Sequence, residues 1–159
     1  MILTSPSFQN NAPIPRKFTC DGGGINPEFQ IQNVPAEAKS LALILHDPDA
    51  PREGRAGRAS PIAGGFFHWV LWNISPQTTL IKEESAPPGA AEGLNGAGKP
   101  GYAPPCPPPG HGVHHYRFKL YALDVALDLP TDTMATDLAA AIAGHILSET
   151  ELVGTYERN

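Results

Sequence analysis

Apolar residues fall into three short runs along the chain, each with the length of a strand. Residues 40–46 and 66–74 are almost continuously apolar, and the second run is rich in aromatic and β-branched residues. Residues 113–123 alternate instead, with Tyr116, Phe118 and Leu120 on every second position. Continuous runs of this length are typical of buried strands, and alternation is typical of a half-buried one. The pattern therefore predicts three β-strands.

One segment has helical periodicity. In residues 135–147, Leu138, Ile142 and Ile146 recur every fourth residue and form an apolar stripe. Thr133 is the predicted N-cap, because its hydroxyl can accept a hydrogen bond from the first turn. Strands that precede a single helix, without βαβ alternation, favour a mainly β fold with peripheral helices. The 159 residues fit one domain, predicted to cover residues 1–159.

The segments between these elements are loops. Proline (18) and glycine (16) are abundant in the chain, and both are dense in residues 75–112. Such a stretch can hold little regular structure, and a loop of that length inside a compact domain is usually functional. Residues 52–60 are charged and contain glycine, which predicts an exposed loop.

Charge and composition exclude several function classes. The net charge of −5 argues against a nucleic-acid binder and against a polybasic membrane anchor. No run approaches the roughly 18 apolar residues that a membrane-spanning helix needs. The first residues show no secretory pattern, so we expect a cytoplasmic protein. In that compartment Cys20 and Cys106 are expected to be reduced thiols rather than a disulfide.

Three motifs suggest cofactor or metal chemistry but lack its structural context. Residues 93–100 match the phosphate-loop pattern until Pro100, which has no hydroxyl for a magnesium ion. Gly96, Gly98 and Gly101 have dinucleotide-binding spacing, yet the prolines that follow cannot open a helix. His111, His114 and His115 could be zinc ligands, but strand alternation places the last two on opposite faces. We therefore predict no cofactor, no metal and no catalytic residue.

Polar residues at three strand ends form the candidate site. Asp47 and Asp49 lie in Asp47-Pro48-Asp49-Ala50-Pro51, where two prolines restrict the backbone. His68 lies near the start of the aromatic run, and His114 and Tyr116 share one face of the third strand. Each feature alone has an ordinary explanation, a turn or a core histidine. Together they are polar groups that a plain core would not contain, and His114 and Tyr116 could meet His68.

These residues resemble the phosphatidylethanolamine-binding protein family, in its bacterial branch described as Raf-kinase-inhibitor-like. The resemblance runs from about residue 13 to the C-terminus. It is carried by the Asp-Pro motif, by His68-Trp69 with Asn73-Ile74, by Gly101-Tyr102-x-x-Pro105-Cys106-Pro107-Pro108, and by the ending Glu151-Leu152-Val153-Gly154-Thr155-Tyr156. It implies an antiparallel β-sandwich, with a large central sheet, a smaller sheet and peripheral helices including a C-terminal one.

The resemblance also implies an anion-binding pocket at one end of the large sheet. Carried over to this chain, its residues are Asp47, Asp49, His68, Gly101, Tyr102, Pro105, Cys106, His114 and Tyr116. Three positions depart from the family pattern: His115 replaces a common arginine, Pro104 a glycine and Ile31 a tryptophan. The Cys106 thiol could be a packing residue or, beside a protonated histidine, a reactive one.

We expect a binding protein for a phosphate-bearing small molecule or a phosphorylated side chain. Imidazolium groups from His68 or His114 would face the anion, so binding should strengthen below about pH 6.5, where an ordinary histidine protonates. Two alternatives stay open. One is an inhibitor of a protein partner, a serine protease or a kinase, and the other is a weak hydrolase with His68 or His114 as base. A homodimer, formed by an edge strand or by the strand that carries Trp69 and Trp72, is a further option.

Overall fold

The computed structural model describes residues 1–51 and 65–159, so the predicted exposed loop at 52–60 lies outside the described residues. The strands in this part of the chain are β1 (Ile2–Thr4), β2 (Ala12–Pro13), β3 (Phe29–Gln32), β4 (Ser40–Asp47), β5 (Phe66–Ile74), β6 (Leu80–Ile81), β7 (Ala91–Glu92), β8 (His114–Leu123) and β9 (Ile146–Tyr156). The helices are a 3₁₀ turn at Arg16–Phe18 and α1 at Ala135–Ile142.

The strands form two sheets. The small sheet has the order β1-β3-β6, and the large sheet has the order β2-β9-β8-β4-β5-β7. All pairs are antiparallel except β2 with β9, which are parallel, so the purely antiparallel prediction was wrong at one edge. Residues 12 and 13 run beside the end of β9 in the same direction, because the backbone of Asn11 and Ile14 bonds to Val153 and Thr155.

β4 is the central strand of the large sheet. It pairs with β5 on one side and with β8 on the other, and nearly all its residues are buried. Leu43 and Leu45 pack with the small sheet, whereas Ala42 and Ile44 pack with α1. Burial on both faces explains why the sequence of this strand is continuously apolar.

The three predicted strands are confirmed, and the predicted helix is too long. α1 ends at Ile142, Gly144 adopts a φ of +84°, and Ile146 already begins β9. Glycine tolerates this left-handed conformation, which terminates helices. The N-cap is Met134 rather than Thr133, whose hydroxyl donates to the carbonyl of Pro130. The predicted helix in the C-terminal part of the chain is thus present but shorter, and the long strand β9 follows it.

Both tryptophans of β5 belong to the interior. Trp69 and Trp72 are each only 1% exposed, on opposite faces of the large sheet. β5 also lies between β4 and β7, so it is not an edge strand. Neither tryptophan side chain is therefore exposed for a contact between two copies, and the homodimer stays a prediction.

The large sheet requires glycine at position 154. An added Cβ there would lie 2.4 Å from Cγ1 of Ile14 and 2.9 Å from Cε2 of Phe8, both core residues. We expect Gly154→Ala to lower the free energy of unfolding by about 1–3 kcal/mol, because overpacking forces these side chains off their preferred positions. Urea denaturation measures the change. Glu149→Ala, on the exposed part of the same strand, is the control and should change stability by less than about 0.5 kcal/mol. Equal effects of the two substitutions would contradict the packing argument.

Candidate functional site

The carboxylate of Asp47 lies at the end of β4 and is held from both of its oxygens. Asp47 is 2% exposed. Oδ1 accepts hydrogen bonds from the backbone N–H of Asp49 (2.9 Å) and of Ala50 (3.1 Å), which closes a turn through Pro48. A buried carboxylate needs such donors, since an unpaired buried charge is costly. The Asp-Pro motif therefore fixes one carboxylate in position.

His114 holds the other oxygen of Asp47. Its Nδ1–H donates to Oδ2 at 2.7 Å, and its Nε2 lies 2.7 Å from Nδ1 of His111. His114 is 1% exposed, whereas His111 is at the surface. Because both ring nitrogens of His114 are engaged, this residue orients the carboxylate and does not present a free N–H to a ligand.

A β-bulge brings the ring of His68 next to the carboxylate of Asp47. Leu45 pairs with Trp69 and His46 pairs with Phe67, so His68 is the extra residue of β5. A bulge redirects side chains. Here the ring of His68 lies 5.2 Å from that of Tyr116, and Trp69 packs in the same core, whereas Phe67 packs on the opposite face.

The protonation state of His68 follows from its surroundings. Nδ1 lies 2.8 Å from the carbonyl oxygen of Ala103, which can only accept, so Nδ1 carries the proton. Burial lowers the pKa of His68 from 6.5 to about 4, although the Ala103 carbonyl and the negative charge of Asp47 act in the opposite direction. At neutral pH the ring is uncharged, and Nε2 is a hydrogen-bond acceptor.

The hydroxyl of Tyr116 is a hydrogen-bond donor and so complements Nε2 of His68, which is an acceptor. Tyr116 is fully buried, two residues beyond His114 on the same face of β8. Burial and, to a lesser extent, the charge of Asp47 raise the pKa of Tyr116 above its usual range. The hydroxyl therefore keeps its proton and can donate it in a hydrogen bond.

Neither of these two polar atoms has a partner in hydrogen-bond geometry among the described residues, although the Asp47 carboxylate lies close enough to Tyr116 to raise its pKa. Nε2 of His68 and the hydroxyl of Tyr116 are buried without a hydrogen bond, and the closest charged oxygen to that Nε2 is Oδ2 of Asp47 at 4.0 Å. Each unsatisfied buried group costs about 1–3 kcal/mol. Unpaired polar atoms in a native interior call for an explanation, such as a water, an ion or a ligand.

The predicted residues Gly101 and Tyr102 line a neighbouring cavity. It has a volume of about 230 Å³, and Trp69 and Glu92 also line it. The Tyr102 hydroxyl donates to the carbonyl of Phe18 (3.0 Å), and its ring meets the Trp69 ring edge-on at 5.7 Å. Gly101 has a φ of +88°, a conformation that favours glycine.

Asp49 points away from the buried group. Its side chain is 40% exposed, and Oδ2 accepts hydrogen bonds from the backbone N–H and from Nδ1 of His115, both at 2.8 Å. Partial burial alone would raise the pKa of Asp49, but the hydrogen bonds from His115 outweigh it and leave the pKa below its usual range. The alternation of His114 and His115 between the two faces of β8 is confirmed.

The expectation of reduced cysteines was wrong. Cys20 and Cys106 form a disulfide, with their Cα atoms 5.3 Å apart and a sequence separation of 86. The backbone N–H of Cys20 donates to the carbonyl of Pro105, which brings the two segments together. Cys106 therefore has no free thiol in this structure, and its neighbour Pro105 contributes a backbone contact to Cys20.

Two residues of the site were not predicted. Ala103 acts through its carbonyl, and a backbone atom leaves no signal in the residue types. His111 was considered only as a metal ligand, although its spacing of three from His114 was visible. Among the residues that the structure describes, no cluster of three or more His, Cys, Asp or Glu could hold a metal ion. In the same residues, no helix has the length and apolar character needed to cross a membrane.

Comparisons with known proteins find relatives that are similar in sequence and in fold. A family model described as phosphatidylethanolamine-binding protein matches residues 4–157. A UPF0098 protein of Chlamydia muridarum is 43% identical over the whole of both chains. Among solved structures, a phosphatidylethanolamine-binding protein homologue from Chlamydia trachomatis has a TM-score of 0.88 at 43% identity, covering 99% of this chain and 97% of that one. Escherichia coli YbcL has a TM-score of 0.86 at 25% identity, covering 99% and 98%.

The low pKa of His68 predicts a specific loss of stability in acid. An unfolded chain binds a proton at His68 near pH 6.5, whereas the folded one binds it near pH 4. The stability from this neutral ring is thus complete above pH 6.5 and falls as the pH drops toward 4. Between pH 7 and pH 5, we expect the native chain to lose about 2 kcal/mol more than His68→Gln does.

Urea unfolding at a series of pH values measures this difference. His145→Gln is the control, because His145 is exposed and paired with Asp124 far from the site. It should follow the native pH profile. A native profile that runs parallel to that of His68→Gln would show that His68 is not held neutral.

Proposed function

Because this chain belongs to the phosphatidylethanolamine-binding protein family, we propose that it binds a small phosphate-bearing molecule or a phosphorylated group beside His68 and Tyr116. The observation that carries the proposal is the pair of unpartnered buried atoms, Nε2 of His68 and the Tyr116 hydroxyl. One accepts and the other donates. A ligand must therefore have a donor for Nε2 of His68 and, on a neighbouring atom, an acceptor for the Tyr116 hydroxyl.

A singly protonated phosphate group has this arrangement. Its P–OH can donate to Nε2 of His68, and an unprotonated oxygen can accept from Tyr116. Sulfate matches phosphate in shape, but it has no proton to donate at neutral pH. The hydrogen-bond pattern therefore favours a phosphate monoanion over a fully ionised anion.

The charge of Asp47 acts in the same direction. Oδ2 lies 4.0 Å from Nε2 of His68, so a doubly charged phosphate would meet a like charge close by. The hydrogen bonds from His114 and from two backbone amides stabilise the carboxylate. Asp47 therefore repels a phosphate group with one negative charge less strongly than a phosphate group with two.

The expected pH dependence of ligand binding has a different source from the one predicted from the sequence. Imidazolium groups were predicted to face the anion, but His68 is neutral near pH 6 and both nitrogens of His114 are engaged. The proton that strengthens binding is instead carried by the ligand. A phosphate monoester takes up that proton with a pKa near 6.

We expect methyl phosphate to bind about 20-fold more tightly at pH 5.5 than at pH 7.5, because the monoanion fraction rises by that factor. Sulfate should bind more weakly at both pH values. Titration calorimetry measures both ligands. Phosphate affinity that does not change with pH, or that sulfate equals, would overturn the proposed recognition.

The hydroxyl of Tyr116 is expected to contribute a charge-assisted hydrogen bond. Tyr116→Phe should weaken methyl phosphate binding at pH 5.5 by about tenfold or more, since such bonds contribute roughly 1.5–3 kcal/mol. Tyr121→Phe, on the same strand but packed toward α1, is the matched control and should bind as the native chain does. If both variants bind equally well, the Tyr116 hydroxyl takes no part.

The remaining expectations from the sequence stay predictions. No contact among the described residues favours inhibition of a protein partner, hydrolysis or a homodimer over the others. The cytoplasmic location also stays a prediction; reduced cysteines were expected from it, whereas the structure has a disulfide.

A further inference from the structure

The Cys20–Cys106 disulfide joins two surface segments. Cys20 follows the 3₁₀ turn, and Cys106 lies in the segment 101–112, called the site loop below. Both cysteines are exposed. Exposed disulfides are accessible to attacking thiols, and these are the bridges most often found in labile or regulatory roles.

The site loop carries atoms on which the candidate site depends. The Ala103 carbonyl holds Nδ1–H of His68, and the Ala103 N–H donates to the His68 carbonyl, both at 2.8 Å. At the other end of the loop, His111 contacts Nε2 of His114. Movement of this loop would therefore remove one hydrogen-bond partner from His68 and one from His114.

The loop has few other backbone bonds that could hold it. Between Ala103 and Gly110, every residue except Cys106 is a proline, and proline has no N–H to donate. Single hydrogen bonds join the loop to its surroundings: from the Tyr102 hydroxyl to Phe18, from the N–H of Gly110 to Arg158, from the N–H of Cys20 to Pro105 and from the Asn95 amide to Gly101. Apart from the backbone itself, the disulfide is the covalent link between the loop and the rest of the described structure.

We propose that this disulfide is a redox-controlled tether, which keeps the site loop seated when oxidised and lowers ligand affinity when reduced. The proposal rests on the proposed function for its ligand. An oxidising compartment would maintain the bridge, whereas the thiols of a cytoplasm would open it. The location of the protein would then set the state of its site.

The reductant is a dithiol of the thioredoxin class. Its thiolate attacks Sγ of Cys20, the Cys20–Cys106 bond breaks, and a mixed disulfide forms on Cys20. The second thiol of the reductant then displaces Cys20. Two electrons pass to the protein, which takes up two protons to give two thiols, and the reductant becomes a disulfide.

The surroundings of Cys106 favour this direction of attack. Nη1 of Arg158 lies 3.8 Å from Sγ of Cys106, so a positive charge stabilises the departing thiolate. Arg158 is itself held by the carboxylate of Asp21. Arg158→Gln should therefore slow reduction several-fold, whereas Arg117→Gln, on the exposed face of β8, should not.

The test compares the oxidised protein with protein reduced by dithiothreitol and with Cys20→Ser/Cys106→Ser. Two free thiols by titration confirm reduction. Amide hydrogen exchange is followed at Ala103 and, as a control for global unfolding, at Leu43 and Leu45 in the central strand. Methyl phosphate affinity is measured at pH 5.5 on the same samples.

We expect faster exchange at Ala103, unchanged exchange in β4, and about tenfold weaker phosphate binding, as when the competent loop conformation is populated about a tenth of the time. Reoxidation should restore both readouts. Unchanged exchange at Ala103 after verified reduction would overturn the tether. Exchange that increases equally in β4 would also overturn it, because the bridge would then stabilise the whole fold.

The two proposals fail separately. If phosphate binds neither form, the proposed function is wrong, yet exchange at Ala103 still decides whether the bridge holds the loop. If phosphate binds both forms equally while Ala103 exchanges faster, the loop moves without affecting the ligand, and redox control of binding is overturned.

Discussion

The organisation of the site depends on one buried carboxylate. Asp47 must be supplied with hydrogen bonds, since removal of a charge from water is costly without them. Two donors come from the turn after β4, and the third comes from His114 at the start of β8. The requirement of a single side chain thus fixes the ends of two adjacent strands, and with them the position of Tyr116 on the second strand.

The four side chains of the site form two pairs with different roles. The charged carboxylate of Asp47 and the ring of His114 hydrogen-bond to each other, so this pair supports the site but is not free to bind a ligand. His68 and Tyr116 are uncharged, and Nε2 of the one and the hydroxyl of the other have no hydrogen bond within the described part of the chain, which makes them the part of the site available to another molecule. A comparison of residue types alone would assign similar roles to the two histidines. Their neighbours distinguish them, because one faces a carboxylate and the other a carbonyl.

The sequence was sufficient for the elements with a clear pattern. Continuous apolar runs predicted β4 and β5, and alternation placed His114 and Tyr116 on one face of β8. The sequence was insufficient where contacts between residues far apart in the chain determine the structure. The bulge at His68 is defined by pairing with β4, and the disulfide joins residues that only the folded chain brings together. The same holds for β9, whose first residues continue a helical apolar stripe past Gly144.

The position of β9 has a consequence for the order of assembly. This strand lies between β2 and β8, yet it is the last strand in the described sequence to be synthesised. Until it emerges, β8 has an unpaired edge and β2 has no partner in the large sheet. Between the synthesis of β8 and that of β9, the nascent chain therefore carries an unpaired strand edge. Such edges readily pair with other chains, so the late addition of β9 is the step that closes this edge of β8 against unwanted contacts.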